Sequence, residues 1–344
     1  MNLKSVITTA ALFLFFTATA QESNLAEAIN IGAGGTFGKA KILKKTDKLV
    51  LAQVSVAFKQ MTTKAVQMTE KKRTIFGKSP GKSATASVTA YLETTDGELN
   101  DNDYLEVTNH FHNYLQVKLK EAGIDTVAWT GISNTEFFKD NLKEKDDDNE
   151  EEKSKGNAWV TYNAYNGATL FKKPTQLAFL RLKKAGKLCD EFGGPALFIN
   201  TTVDFADLDV AVDVKTSGYK STWTPNSSQS TTMKSETKVR AFMKIPAFTD
   251  RLEYSYLINE KLAAESISLG NELPAEVDYA TALTEDPERA TKRSKFFSVS
   301  LSKKMESDPV VISTTKEKYK AAAKKALEKY ADAFVAKVKL SKKD

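Results

Sequence analysis

The chain has 344 residues, with 50 Lys and Arg against 44 Asp and Glu, for a net charge of +6. So small a basic excess, spread along the chain, argues against nucleic acid as partner, which requires a concentrated basic face. A single cysteine, Cys189, excludes an intrachain disulfide, so stability has to come from the core.

From the amino terminus, Lys4, the apolar run Ala10–Phe16 and the small-x-small site Ala18-Thr19-Ala20 have the layout of a secretory signal peptide, residues 1–20. The run is shorter than the roughly 20 apolar residues of a bilayer span. Export to the periplasm or the medium is therefore expected, with cleavage before Gln21 and a mature charge of +5 once Lys4 is lost. No cysteine stands at the cleavage site to carry a lipid anchor, and no transmembrane helix is expected in the mature chain. Residues 21–344 read as one α/β domain, with a strand and helix core over 45–215 and a meander plus C-terminal helix over 216–344.

Residues 21–45 are mixed and Gly-rich and read as an arm or covering loop. Leu49–Phe58 is β-branched and apolar, which suits a strand buried on both faces. A polar stretch ending in Lys71-Lys72-Arg73 and a turn-rich loop Gly77–Lys82 precede a returning strand, Ala84–Leu92. Asp101–Ala122 is the strongest helix: Tyr104, Val107, Phe111, Tyr114, Leu115, Leu119 and Ala122 make one apolar face. Asp103 with Glu106 resembles a capping box, and Gly123 is a natural stop. A strand Ile124–Trp129, a short helix Asn134–Leu142 and a solvated acidic loop Asp146–Glu152 follow.

A strand Ala158–Tyr165 and a helix from Pro174 to Asp190 lead to strands Ala196–Phe205 and Leu208–Val214. The second alternates Leu208, Val210, Val212 and Val214 with Asp209 and Asp213. Ser217–Thr232 reads as loop, and Glu236–Ile245, Leu252–Ile258 and Leu262–Leu269 as a β-meander. Asn271–Arg293 is a polar connection with room for a helix, and Phe296–Leu301 a short strand. Lys316–Lys339 is an amphipathic helix with Tyr319, Ala323, Ala326, Leu327, Tyr330, Phe334 and Val338 on one side. The fold class is α/β (mixed α+β): a mixed sheet with packed helices and a long C-terminal helix.

Candidate chemistry is sparse, and no cofactor is expected. His110 and His112 form H-x-H, but positions two apart on a helix point about 200° apart and cannot share a metal, so ordinary polar-face or boundary histidines are expected. Gly32–Lys39 and Gly77-Lys78-Ser79 both depart from the phosphate-loop pattern. Lys71, Lys72, Arg73, Lys78 and Lys82 read as a solvated loop, with docking of an anion or acidic partner as the functional alternative. Asp207, Asp209 and Asp213, with Asp204 nearby, are weak metal or acid–base candidates against the solvent face of a half-buried strand. Cys189 has no basic partner beside it and reads as a small buried hydrophobe. The triplets at Asn200 and Asn226 fit N-x-S/T and are expected to be silent.

The order of Leu49–Phe58, a long helix ending Leu115–Gly123, the strand Ile124–Trp129, the short helix at Asn134–Phe138 and the apolar run Pro195–Ile199 resembles a known family. It resembles the periplasmic Tol-B amino-terminal type of α/β domain, which includes the curli-secretion lipoprotein and lipoprotein activators of penicillin-binding proteins. The resemblance covers about residues 49–260, at the level of pattern. It implies a non-enzymatic envelope role in binding or assembly, with an envelope protein or anionic surface as partner; no functional residue carries over. The rivals are a secreted hydrolase or carbohydrate-active protein using Asp or Glu, with Trp129, Trp159 and Trp223 as sugar platforms, and a small-ligand carrier.

Overall fold

The computed structural model describes residues 25–33, 42–69, 72–74, 77–79, 83–142, 152–154, 156–167, 179–217, 230–247, 254–285 and 302–343. In chain order the strands are β1 Ile29–Ala33, β2 Lys48–Thr69, β3 Lys72–Thr74, β4 Gly77–Ser79, β5 Ser83–Thr94, β6 Asp125–Thr126, β7 Glu152–Ser154, β8 Asn157–Asn163, β9 Ala196–Ser217, β10 Ser230–Ile245, β11 Ser255–Ile258, β12 Ala264–Leu269, β13 Leu273–Pro274, β14 Ala282–Glu285, β15 Ser302–Glu306 and β16 Val310–Thr314. The helices are α1 Asp101–Glu121, α2 Trp129–Ser133, α3 Glu136–Leu142, α4 Phe179–Phe192 and α5 Lys316–Lys343. The protein is a mixed α/β protein: among the described residues one sheet holds 14 strands, and β3 pairs with β4 apart from it.

The centre is β2 beside β9, in parallel register from Val50↔Ala196 to Phe58↔Val203. β6 runs parallel on the start of β2, while β11, β12 and β1 continue antiparallel outward from β9. Helices cover both faces, so the central strands are apolar on both. Leu49 and Leu51 join Phe111, Leu115, Leu327 and Phe334 in one cluster. Val50 and Ala52 join Ile132, Phe138, Leu188 and Cys189 in the other. A bulge between Leu51 and Gln53 shifts the alternation by one residue, so that Val54, Val56 and Phe58 stay on the side of Leu49.

α1 starts one turn earlier than the Asp103 and Glu106 pairing implies. Asn100 is the N-cap, accepting from the amides of Asn102 and Asp103, and the Asp103 carboxylate accepts from the Asn100 amide at 3.1 Å. Glu106 is left to bind Lys320 at 2.9 Å on α5. Gly123 ends the helix at φ 73°, a conformation that favours glycine. Every residue of the apolar stripe expected on α5, from Tyr319 to Val338, is buried. The long helix therefore spends its apolar face on its own domain, edge-on at Phe111–Tyr330 and through Tyr114 donating to Asp332 at 3.1 Å. No described helix is long and apolar enough to cross a membrane.

Several local expectations change in the fold. Part of the arm before residue 45 is the edge strand β1, because Ile29 and Ile31 find partners in Leu269 and Ile267. The stretch Ile124–Trp129 is extended only at β6, and Trp129 opens a helix whose Ile132 enters the second core. Ala196–Ser217 is one continuous strand, since Ala206 and Asp207 at the expected break stay in the ladder opposite Ala241 and Arg240. The basic loop is a hairpin where it is described, Lys72–Thr74 against Gly77–Ser79; Lys71 and Lys82 lie outside the described residues. Asn271–Glu285 contains β13 and β14 and no helix. Also outside the described residues lie the signal segment, Asp146–Glu151, Trp223, Asn226 and Phe296–Leu301.

Candidate functional site

The sheet splits where the helices stop covering it. β2 and β9 pair as far as Phe58↔Val203 and then take different partners. β2 bulges between Lys59 and Met61 and runs against β5 from Met61↔Tyr91 to Thr69↔Ser83. β9 runs against β10 from Asp204↔Lys244 to Ser217↔Ser230. The two branches stack by their apolar faces: Ala86, Val88 and Ala90 of β5 share a cluster with Leu208 and Val210 of β9. The small alanine side chains let the two sheets approach closely.

Charge gathers at this fork. The Lys59 ammonium donates to the Asp204 carboxylate at 2.7 Å and to Thr62 Oγ1 at 3.3 Å, and both charged side chains are buried. Lys64 reaches across to donate to the Leu208 carbonyl at 2.8 Å, capping a β9 oxygen where the two strands have parted. Lys244, also buried, donates to Asp207 at 3.1 Å and to Glu272 at 2.8 Å. Burial acts to raise the Asp207 carboxyl, but hydrogen bonds from Arg240 and Lys244 outweigh it and hold its pKa below the usual carboxylate range. Burial likewise works against the Lys244 ammonium, and Glu272 and Asp207 together push its pKa up instead. Lys64, Asp204, Asp207, Lys244 and Glu272 line a groove of about 430 Å³, together with Pro246, Ala247 and Asn271.

Asp207, Asp209 and Asp213 do share one face of β9. At about 3.4 Å per residue, however, Asp207 and Asp213 lie about 20 Å apart, too far to ligate one ion. Each has a cation opposite it in register: Arg240, Lys238 and Lys234. Among the described residues no group of His, Cys, Asp and Glu is arranged to hold a metal. Sequence reasoning passed over Lys59, Lys244 and Glu272. The first two leave a legible mark, a lysine inside an apolar strand (Val56-Ala57-Phe58-Lys59 and Phe242-Met243-Lys244-Ile245). Such a cation has to find a buried acid.

The two histidines part company. His110 is bound by Glu328 at 2.9 Å on α5, at the boundary as expected. His112 is not on a polar face: it is 1% exposed, with the rings of Trp129 and Tyr165 set edge-on at 6.1 and 5.1 Å. Burial pushes its pKa down. Trp129 has one face taken by Tyr165, stacked at 5.4 Å, and Trp159 is buried, so neither is free as a sugar platform. Cys189 is buried, donates to the Ile258 carbonyl at 3.3 Å and has its thiol pKa pushed up to about 12 by burial, far from a reactive thiolate.

No protein-family model, no curated protein and no solved structure matches this chain.

Proposed function

We propose that this chain is an exported, non-catalytic protein of the cell envelope that works by binding or assembly, with the β9–β10 ribbon as its working surface. One observation carries the reading: β9 and β10 leave the helix-covered core at the fork and stay paired to Ser217↔Ser230, with an outward face of exposed charge. Export rests on the signal-like segment, Lys4 to Ala20.

The test is photo-crosslinking in the native envelope. A photoreactive amino acid placed at Ala211, or at Glu236 opposite it, is compared with the same probe at the exposed Val117 on α1. Discrete protein adducts from the ribbon positions and none from the helix support the reading. Equal or absent adducts overturn it.

The groove favours a second reading, the small-ligand carrier. Its volume falls within the roughly 300–1,000 Å³ of ligand pockets, and its lining suits a polar ligand. Ligand-induced stabilisation that vanishes in Lys244→Met while the ribbon crosslinks persist separates the two readings.

A further inference from the structure

Directly opposed residues of an antiparallel pair project from the same face. On the outer face of the ribbon the register sets Asp207 against Arg240, Asp209 against Lys238, Ala211 against Glu236 and Asp213 against Lys234. β9 therefore presents a column of acids, and β10, apart from Glu236, a column of cations. Asp209, Asp213, Lys234, Lys238 and Arg240 are exposed, whereas the opposite face has Leu208 and Val210 buried.

We infer that this face docks on the same face of a second copy of the chain, about a two-fold axis lying along the strands. The inference rests on the reading of the ribbon as the working surface. Two ribbons can meet face to face about a two-fold axis along the strands or across them. An axis across the strands lays β9 over β9 of the partner, acid on acid. An axis along the strands lays β9 over the partner's β10 at the same height. Asp207 then meets Arg240 of the partner subunit, Asp209 meets Lys238 of the partner subunit and Asp213 meets Lys234 of the partner subunit, each pair occurring twice by symmetry. The one acid on β10, Glu236, falls over Ala211, so the exception in the cation column meets no like charge.

Electrostatics thus selects one arrangement and rejects the other. From Asp207 to Asp213 the face is about 20 Å long and about two strands wide. It covers well under the roughly 800 Å² per partner of a standard interface, so the dimer is weak, reversible and salt-sensitive.

Sedimentation velocity of the purified protein over a concentration series at low salt tests this. A monomer–dimer equilibrium that dissociates by about 0.5 M NaCl is expected. Asp209→Lys and Lys238→Asp should each weaken self-association by at least about tenfold, with circular dichroism showing a cooperatively folded chain whose melt is only slightly lowered, since each reversal sets like charges opposite each other within the ribbon. Mixed in equal amounts, the two variants should form a 1:1 heterodimer, because each supplies the charge the other lacks. Wild type that stays monomeric, association untouched by the reversals, or a mixture that stays monomeric overturns the inference. A monomeric wild type whose ribbon still crosslinks to a different protein overturns the dimer and leaves the assembly reading standing. A monomer without ribbon crosslinks removes both.

Discussion

β9 lies in two environments. From Ala196 to Val203 it is flanked by β2 and covered by helices on both faces, and every one of these residues is buried. From Asp204 onward it pairs with β10, and from Leu208 to Asp213 one face is covered while the other points to water. The backbone is the same, yet the sequence changes from Ala-Leu-Phe-Ile to Leu-Asp-Val-Ala-Val-Asp. Composition in a strand reports what covers its faces, not the strand itself. The contrast also divides the molecule: the helix-covered part is apolar on both faces, and the part beyond the fork carries exposed charge on one of them.

That division can be broken or sharpened by substitution. In the core, Phe334→Asp places a charge where the side chain has no exposure, and about 4 kcal/mol of stability should go; a melting temperature near that of the wild type would show that α5 is not part of the core. At the fork, Asp204→Ala leaves Lys59 buried and uncompensated and should cost about 3 kcal/mol in urea denaturation. The double variant Lys59→Met with Asp204→Leu should recover most of the loss, since the penalty lies in the orphaned charge. Cys189→Ser, small and buried in the second core, should cost about 1 kcal/mol and leave binding alone.

A graded effect is expected from pH. His112 has a folded pKa below its unfolded value of about 6.5, so the unfolded chain binds the proton more tightly. The stability this group contributes is complete above that value and is lost as pH falls through it. His112→Phe should flatten this part of the stability profile between neutral and acidic pH; an unchanged slope would assign it to other groups. The smallest effect belongs to the ribbon: Asp209→Ala should shift stability by no more than about 0.5 kcal/mol. A larger loss would mean that the outer face is structural, which would blur the contrast between the two halves.

The sequence by itself determined the elements whose signal is local. The stripe on α5 is buried at Tyr319, Ala323, Ala326, Leu327, Tyr330, Phe334 and Val338, and α1 buries Tyr104, Val107, Phe111, Leu115 and Leu119, as a 3.6-residue period dictates. The alternation from Leu208 to Asp213 likewise assigned its faces. Tertiary structure alone decided where β2 and β9 part, that Ile29 begins an edge strand, and which acid meets which lysine. Lys59 and Asp204 stand 145 residues apart, and Lys64 finds the Leu208 carbonyl across 144. Periodicity is a property of neighbours within one element and survives in any window of sequence. A strand's partner, and the balance between the burial cost of a charge and its attraction to another, depends on which distant segments the fold brings side by side.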